Sequence, residues 1–215
     1  MHYIIEVNAL GQPSDEKQKV KNVLQKFGIS FEEILVLPFV DDYKFATDRK
    51  DVFVLGGVKL AKIAAKQDWK PGSLFGNNHN YEIYSQHYRE HLLNWDSKVF
   101  NLGEIQKYEG FRFVRPCLDS KLFNGAVYYC DDWDYIQEGL IREGYPLDTR
   151  IQMASVKQVY REVRLFIVNG KVITGSQYTF GGRYLTSTFI GDEILEFANK
   201  MIEIYQVAEC FVMDI

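Results

Sequence analysis

Two cations six residues apart flank a strand end and a turn in the stretch Phe111-Arg112-Phe113-Val114-Arg115-Pro116-Cys117-Leu118-Asp119-Ser120-Lys121-Leu122-Phe123-Asn124-Gly125. That spacing suits a polyphosphate. Arg115 offers a planar fork of donors that can meet two phosphate oxygens, and Lys121 offers a compact, movable charge. Phe113 and Val114 read as a short buried strand, and Pro116 biases Arg115 toward an extended or turn conformation. The competing reading is a pair of solvated surface charges, the usual state of an arbitrary Arg/Lys pair.

A second polar constellation lies downstream. Glu162 and Arg164 are two apart in a predicted strand and so share one face, while Val163, Leu165 and Ile167 take the other. Asn169-Gly170 is the strongest hairpin signal in the chain and returns the backbone through Ser176 and Tyr178. This polar face reads either as the wall of an active site or as a cross-strand ion pair on an exposed sheet. Asp214 ends the last apolar run, and a carboxylate at the end of a buried strand is costly unless it is paired or holds a cation.

Other chemistry-bearing residues carry weaker signals. His87 and His91, four apart in a helix expected near residues 86–93, could share a face as metal ligands but lack a third ligand, and partly exposed helix histidines explain them adequately. Asp131, Asp132 and Asp134 are expected to be solvated, with Trp133 and Tyr135 alternating inward. Gly56-Gly57 could host an anion at a helix N-terminus but lacks a dinucleotide or P-loop pattern, so a structural turn is the better reading.

The elements that must position these residues are legible from periodicity. Tyr3 to Val7 reads as a strand, Ser14 caps a helix carrying Val20, Val23, Leu24 and Phe27, and strands follow at residues 34–40 and 51–55. A helix over residues 58–66 completes what reads as a small parallel α/β layer. Residues 68–84 read as an ordered loop. Beyond it, Ala126 to Tyr129 should pair with Phe113 and Val114, Ile151 to Ala154 is a buried strand, Asp192 opens a helix, and Cys210 to Ile215 is a final strand.

Composition bounds the function. The 215 residues carry a net charge of -4 and are 47% hydrophobic, which allows one large domain or two small ones and argues against a protein that coats nucleic acid. Three cysteines, Cys117, Cys130 and Cys210, make neither a disulfide framework nor a zinc knuckle. No apolar run suits a membrane span and no secretory leader is evident, so a cytoplasmic protein is expected.

In this order the segments resemble the ATP-grasp fold, specifically its phage and bacterial clade marked by two arginines and a lysine. The carriers are Phe113-Val114-Arg115-Pro116 with Asp119-Ser120-Lys121 and Phe123-x-Gly125, then Ile151-Gln152-Met153-Ala154, then Glu162-x-Arg164 with its hairpin and Ser176-x-Tyr178, then Val212-x-Asp214. The resemblance implies an α+β protein: an N-terminal α/β domain over residues 1–105 and a two-lobed ATP-grasp domain over residues 106–215. It implies ATP held by Arg115 and Lys121, an adenine site at Gln152, Met153 and Ala154, and Glu162 and Arg164 facing the phosphates. Asp214 would be the magnesium ligand, and Arg115, Lys121 and Arg164 the catalytic cations.

The activity implied is amide formation between a small-molecule or peptide carboxylate and an amine through an acyl phosphate. The Gly181-Gly182-Arg183 loop would close over substrate, with Asn77, Asn78, Tyr81 and Arg183 nearby. The family also carries an acid and an Asn, in a Glu-x-Asn pattern, on a strand after the Asp214 position, whereas this chain stops at Ile215. Two expectations follow: a C-terminal hairpin missing from the sequence, or a protein with half its metal site that is catalytically inactive and serves as a nucleotide-binding or interaction module. The sequence leaves oligomeric state open.

Overall fold

The computed structural model describes residues 1–73, 79–104, 106–118 and 122–215. The chain divides into two compact units, Met1–Gly76 and Asn77–Ile215. Residues 77–105, assigned on sequence to the N-terminal domain, fall in the second unit. One strand among them pairs with a strand some fifty residues further on, a connection that local sequence signals do not carry.

In the first unit, β1 (His2–Val7) runs between β2 (Phe31–Leu35) and β3 (Val52–Leu55) in a parallel sheet of order β2-β1-β3. Helix α1 (Asp15–Lys26) supplies the crossover from β1 to β2, residues 36–51 join β2 to β3 without a helix, and α2 (Val58–Lys66) follows β3. Ser14 caps α1 by accepting from the Lys17 amide, as its position before the apolar repeat predicts. Only Leu24 of the apolar set on α1 is buried, while Val23 and Phe27 stay exposed. Ile4, Val52, Val54, Leu60, Ala64 and Trp69 form the core. The Gly57 amide at the start of α2 donates to Glu6, which also faces Lys17 at 3.5 Å. The anion at this helix N-terminus is thus the protein's own, and the Gly56-Gly57 turn is structural.

The second unit holds α3 (Tyr81–Tyr88) and two four-stranded sheets. The first contains β4 (Lys98–Asn101), β5 (Phe111–Pro116), β6 (Ala126–Tyr129) and β7 (Arg150–Ala154), in the order β4-β7-β5-β6, with α4 (Cys130–Arg142) on one face. Phe113 and Val114 pair with Val127 and Ala126 as the sequence predicts. The second contains β8 (Arg161–Val168), β9 (Lys171–Phe180), β10 (Arg183–Ser187) and β11 (Cys210–Asp214), in the order β10-β9-β8-β11, backed by α5 (Asp192–Ile204). Asn169 and Gly170 both take positive φ, 48° and 71°, the requirement of the two-residue turn joining β8 and β9.

Three local expectations are corrected. Helix α3 begins at Tyr81, capped by Asn80, and stops at Tyr88, because Arg89 leaves helical backbone space at φ 49°. The strand expected at residues 34–40 lies at Phe31–Leu35. Asp131, Asp132 and Asp134 lie on α4, where acids in the first turn complement the helix dipole; Trp133 is fully buried, but Tyr135 is 72% exposed. Strand-like alternation was the wrong period there.

The core of the second sheet rests on Val163, Leu165 and Ile167 against Ala198 and Ile202. Leu165→Ala should cost about 3 kcal/mol of unfolding free energy in urea denaturation, the usual range for emptying a fully buried leucine site. A loss under about 1 kcal/mol would contradict this core assignment.

Candidate functional site

Strand alternation sorts the first sheet into two faces. Val114 and Met153, which pair across β5 and β7, join Trp133 in the core. Their neighbours Arg115 and Gln152, also paired, therefore lie on the opposite face, with Phe113 and Ala154. The Met153 side chain thus packs under α4, and β4 and β5 flank its backbone. Gly125 lies close behind Arg115: a Cβ there would stand 3.0 Å from Arg115 Cβ and 3.1 Å from Phe113 Cζ, so a larger residue would press on the Arg115 side of the turn.

Helix α3 lies over this face. The Tyr81 amide donates to the Cys117 carbonyl at 2.8 Å, and Arg150 grips Glu82 through its Nε and a terminal nitrogen, at 2.8 to 3.2 Å. Gln152 is buried, and its Oε1 accepts from Ser97 at 3.3 Å. Burial raises the Tyr84 hydroxyl above its ordinary pKa, and the charge of Arg115 pulls the other way. Burial, with Glu82 adding to it, pushes the Cys117 thiol up to about 12, which leaves it inert as a nucleophile.

In this unit, Arg150, Arg161 and Arg164 each meet a carboxylate, and Arg112 bonds the Phe111 carbonyl and faces the Tyr108 ring. The half-buried Arg115 side chain has no hydrogen bond or ion pair among the described residues. A partly desolvated guanidinium without a partner is unfavourable in isolation and is suited to an incoming anion. Lys121, Asn77 and Asn78 lie outside the described residues.

The connection from the first sheet to the second is pinned where β7 ends. Asp96 accepts from the Ser155 amide at 3.1 Å and from Lys157 Nζ at 2.7 Å, and Lys157 also bonds the Ser155 hydroxyl. Burial works to raise the Asp96 carboxyl, but the bonds from Lys157 and Ser155 outweigh it and hold it at about 2. Asp96 and Lys157 are 61 residues apart, and nothing in the sequence around either announces the pair.

On the second sheet, α5 covers the face of Val163, Leu165 and Ile167, which leaves Glu162 and Arg164 on the other face. Asp214 pairs in register with Arg164 across β8 and β11. The two form a bidentate ion pair, Nε and a terminal nitrogen each 2.8 Å from a carboxylate oxygen. Extra residues on β9 break its register with β8 at Tyr178; the Tyr178 ring faces the Arg164 guanidinium at 5.4 Å and its hydroxyl donates to Glu162 at 3.0 Å. Thr179 donates to the other Glu162 oxygen at 2.8 Å. Asp214 raises the Arg164 pKa further, while burial first, then the Asp214 charge and the Glu162 bond, push the Tyr178 hydroxyl up to about 12. Glu162 and Arg164 therefore share a face without pairing. Among the described residues no group of three or more His, Cys, Asp and Glu is arranged to hold a metal, and no helix is long and apolar enough to cross a membrane.

Comparison with known proteins agrees with this two-sheet arrangement. A family model described as an ATP-grasp domain, the second family of its clade, matches residues 95–215. No curated protein matches the chain. Among solved structures, D-alanine–D-alanine ligase from Bacillus anthracis is 14% identical with a TM-score of 0.61, covering 100% of this chain and 81% of that one. A RimK domain ATP-grasp protein from Sphaerobacter thermophilus is 13% identical with a TM-score of 0.64, covering 95% and 82%. The D-cycloserine synthetase DcsG is 10% identical with a TM-score of 0.61, covering 100% and 86%.

The Asp96 cluster sets an acid limb of stability. A carboxyl held below its unfolded value contributes stability that is fully present above about pH 4 and lost as pH falls toward 2. Asp96→Asn should therefore be less stable than the parent by about 1 to 2 kcal/mol at pH 7, with the gap narrowing by pH 3. Urea titrations at pH 7, 4 and 3 measure this, and a gap independent of pH would refute the assignment.

Proposed function

The chain belongs to the ATP-grasp domain family, and from that premise we propose that it is an ATP- and magnesium-dependent ligase joining a small-molecule or peptide carboxylate to an amine. The observation that carries this reading is the half-buried Arg115, which has no hydrogen-bond or ion-pair partner among the described residues, on the face of the first sheet opposite α4. In this role its fork engages phosphate oxygens, with Lys121 as a second cation on the same loop. Gln152 and Ala154 share the Arg115 face, and the backbone at the end of β7 borders the adenine.

In the proposed reaction the carboxylate oxygen attacks the γ-phosphorus, the bond to the β-phosphate oxygen breaks, and ADP leaves. The amine nitrogen then attacks the acyl carbon, and phosphate departs and takes up the amine proton. Atoms and charge balance as ATP, carboxylate and neutral amine giving ADP, hydrogen phosphate and amide. Little covalent chemistry falls to the protein, so cations that position and neutralise the transferring group do most of the catalysis. Arg115, Lys121 and Arg164 take that role, and Glu162 holds Tyr178 and Thr179 against the Arg164 side of the sheet.

Asp214 fits a magnesium ligand by its chemistry. It is a half-exposed carboxylate on the open face, and magnesium takes one or two protein carboxylates with phosphate oxygens and water. Magnesium so held would offset charge on the β- and γ-phosphates. Both Asp214 oxygens now bond Arg164, so the aspartate must release one or both to take a cation. That pair also supports a second reading, a nucleotide-binding module without turnover in which Arg164 and Asp214 stay locked.

ATP with magnesium at about 100 times its dissociation constant should stabilise the protein by about 2.7 kcal/mol, a rise of a few degrees in Tm. Arg115→Ala and Lys121→Ala should each weaken ATP binding about 10- to 100-fold and cut the stabilisation at the same ligand concentration to between about 1.4 and 0.4 kcal/mol. A shift unchanged in both variants would refute the site. Asp214→Asn should keep an ATP-induced shift but lose its dependence on magnesium. ADP release on addition of carboxylate and amine mixtures separates ligase from silent module.

A further inference from the structure

A cleft of about 350 Å³ lies where α3 ends, lined by Gln86, His87, Tyr88, Arg89, Glu90, His91 and Ile204. None of the residues assigned to nucleotide or metal lines it. In an unbroken helix His87 and His91 would share a face and Arg89, two residues from each, would point away. The helix is broken instead. Arg89 takes φ 49° and ψ −127°, a backbone conformation that favours glycine, and residues 89–91 continue as a single tighter 3-10 turn. The break places Arg89 on the same lining as both histidines, and strain of this kind is kept where the surroundings enforce it.

The walls are fixed by α5 and the residue that follows it. The His87 ring stacks flat on Tyr205, 3.9 Å between centroids and 3° between planes, and His91 meets the edge of Phe197 at 6.3 Å. The Tyr88 hydroxyl donates to the Tyr205 carbonyl at 2.7 Å. Arg89 Nε makes one long bond to the Gln86 carbonyl, 3.4 Å, and the Arg89 side chain has no carboxylate partner among the described residues. Arg89 is the cation on this lining, and each imidazole has a ring N–H to offer, a donor set suited to an anion.

We propose that this cleft binds a hydroxylated phosphate monoester, with Arg89 as the charged anchor and His87 and His91 as further donors to the phosphate oxygens. Ile204 supplies an apolar wall for the organic part. Glu90, the one acid on the lining, accepts from a ligand hydroxyl. The site is independent of the ligase reading and survives its failure.

The test is NMR of histidine ring protons in the full chain during separate titrations with glycerol 3-phosphate, inorganic phosphate and sodium chloride at matched ionic strength. Both phosphates should move His87 and His91 saturably, glycerol 3-phosphate the more tightly, while His2, buried in the other compact unit, stays still. Arg89→Gly keeps the backbone conformation available and should weaken binding at least about 10-fold. Tighter binding of inorganic phosphate would overturn the monoester assignment. A response equal to that of chloride, one unchanged in Arg89→Gly, or one shared by His2 would overturn the site.

Discussion

A β-sheet offers two faces, and in each four-stranded sheet of the second unit a helix consumes one of them. Helix α4 buries Val114, Ile151 and Met153, and α5 buries Val163, Leu165 and Ile167. Because side chains alternate with period two, the same packing that makes these cores places Arg115 and Gln152 on one opposite face and Glu162 and Arg164 on another. The polar groups of the candidate site are therefore fixed by hydrophobic registration. A one-residue slip in either sheet would send the cations into the core.

What distinguishes the two faces is how their cations are satisfied. Arg164 has a complete partner set: both oxygens of Asp214 and the face of Tyr178. Arg115 has none among the described residues, although Arg150, on the neighbouring strand β7, is paired with Glu82. On the proposed reading, this contrast suits the first sheet to receive an anion, while the second holds its own ion pair. In the proposed function, a cation at Asp214 and phosphate oxygens at Arg164 would each replace a partner of like charge, so neither half-exposed group would be left without a counter-charge.

The legible part of this arrangement was the part carried by local signals. The hairpin at Asn169-Gly170, the pairing of Phe113 and Val114 with residues 126 and 127, the Ser14 cap and the start of α5 at Asp192 all follow from turn chemistry and periodicity. The shared face of Glu162 and Arg164 was equally plain. Their partners were not, because Arg164 meets a residue 50 positions away and Glu162 is held by a hydroxyl that an irregularity in strand register brings into reach. Asp96 with Lys157, and Glu82 with Arg150, were invisible for the same reason. The short helix α3 was misplaced because its apolar residues face tyrosines and a sheet, and its end is set by the backbone at Arg89, which no glycine announces.

That helix ties the second unit together. Its first turn is bonded to β5 and β7 through the Cys117 carbonyl and Arg150, while Tyr84 packs on the core of the second sheet and Tyr88 and His87 fix Tyr205, just past α5. The segment after β7, held by Asp96, is a second tie between the same sheets. Two ties at different places restrict sliding and rotation more than either one alone. The distance between the Arg115 face and the Arg164 face is then set by contacts that involve neither arginine. A substitution in α3 can therefore shift one face against the other without touching either arginine.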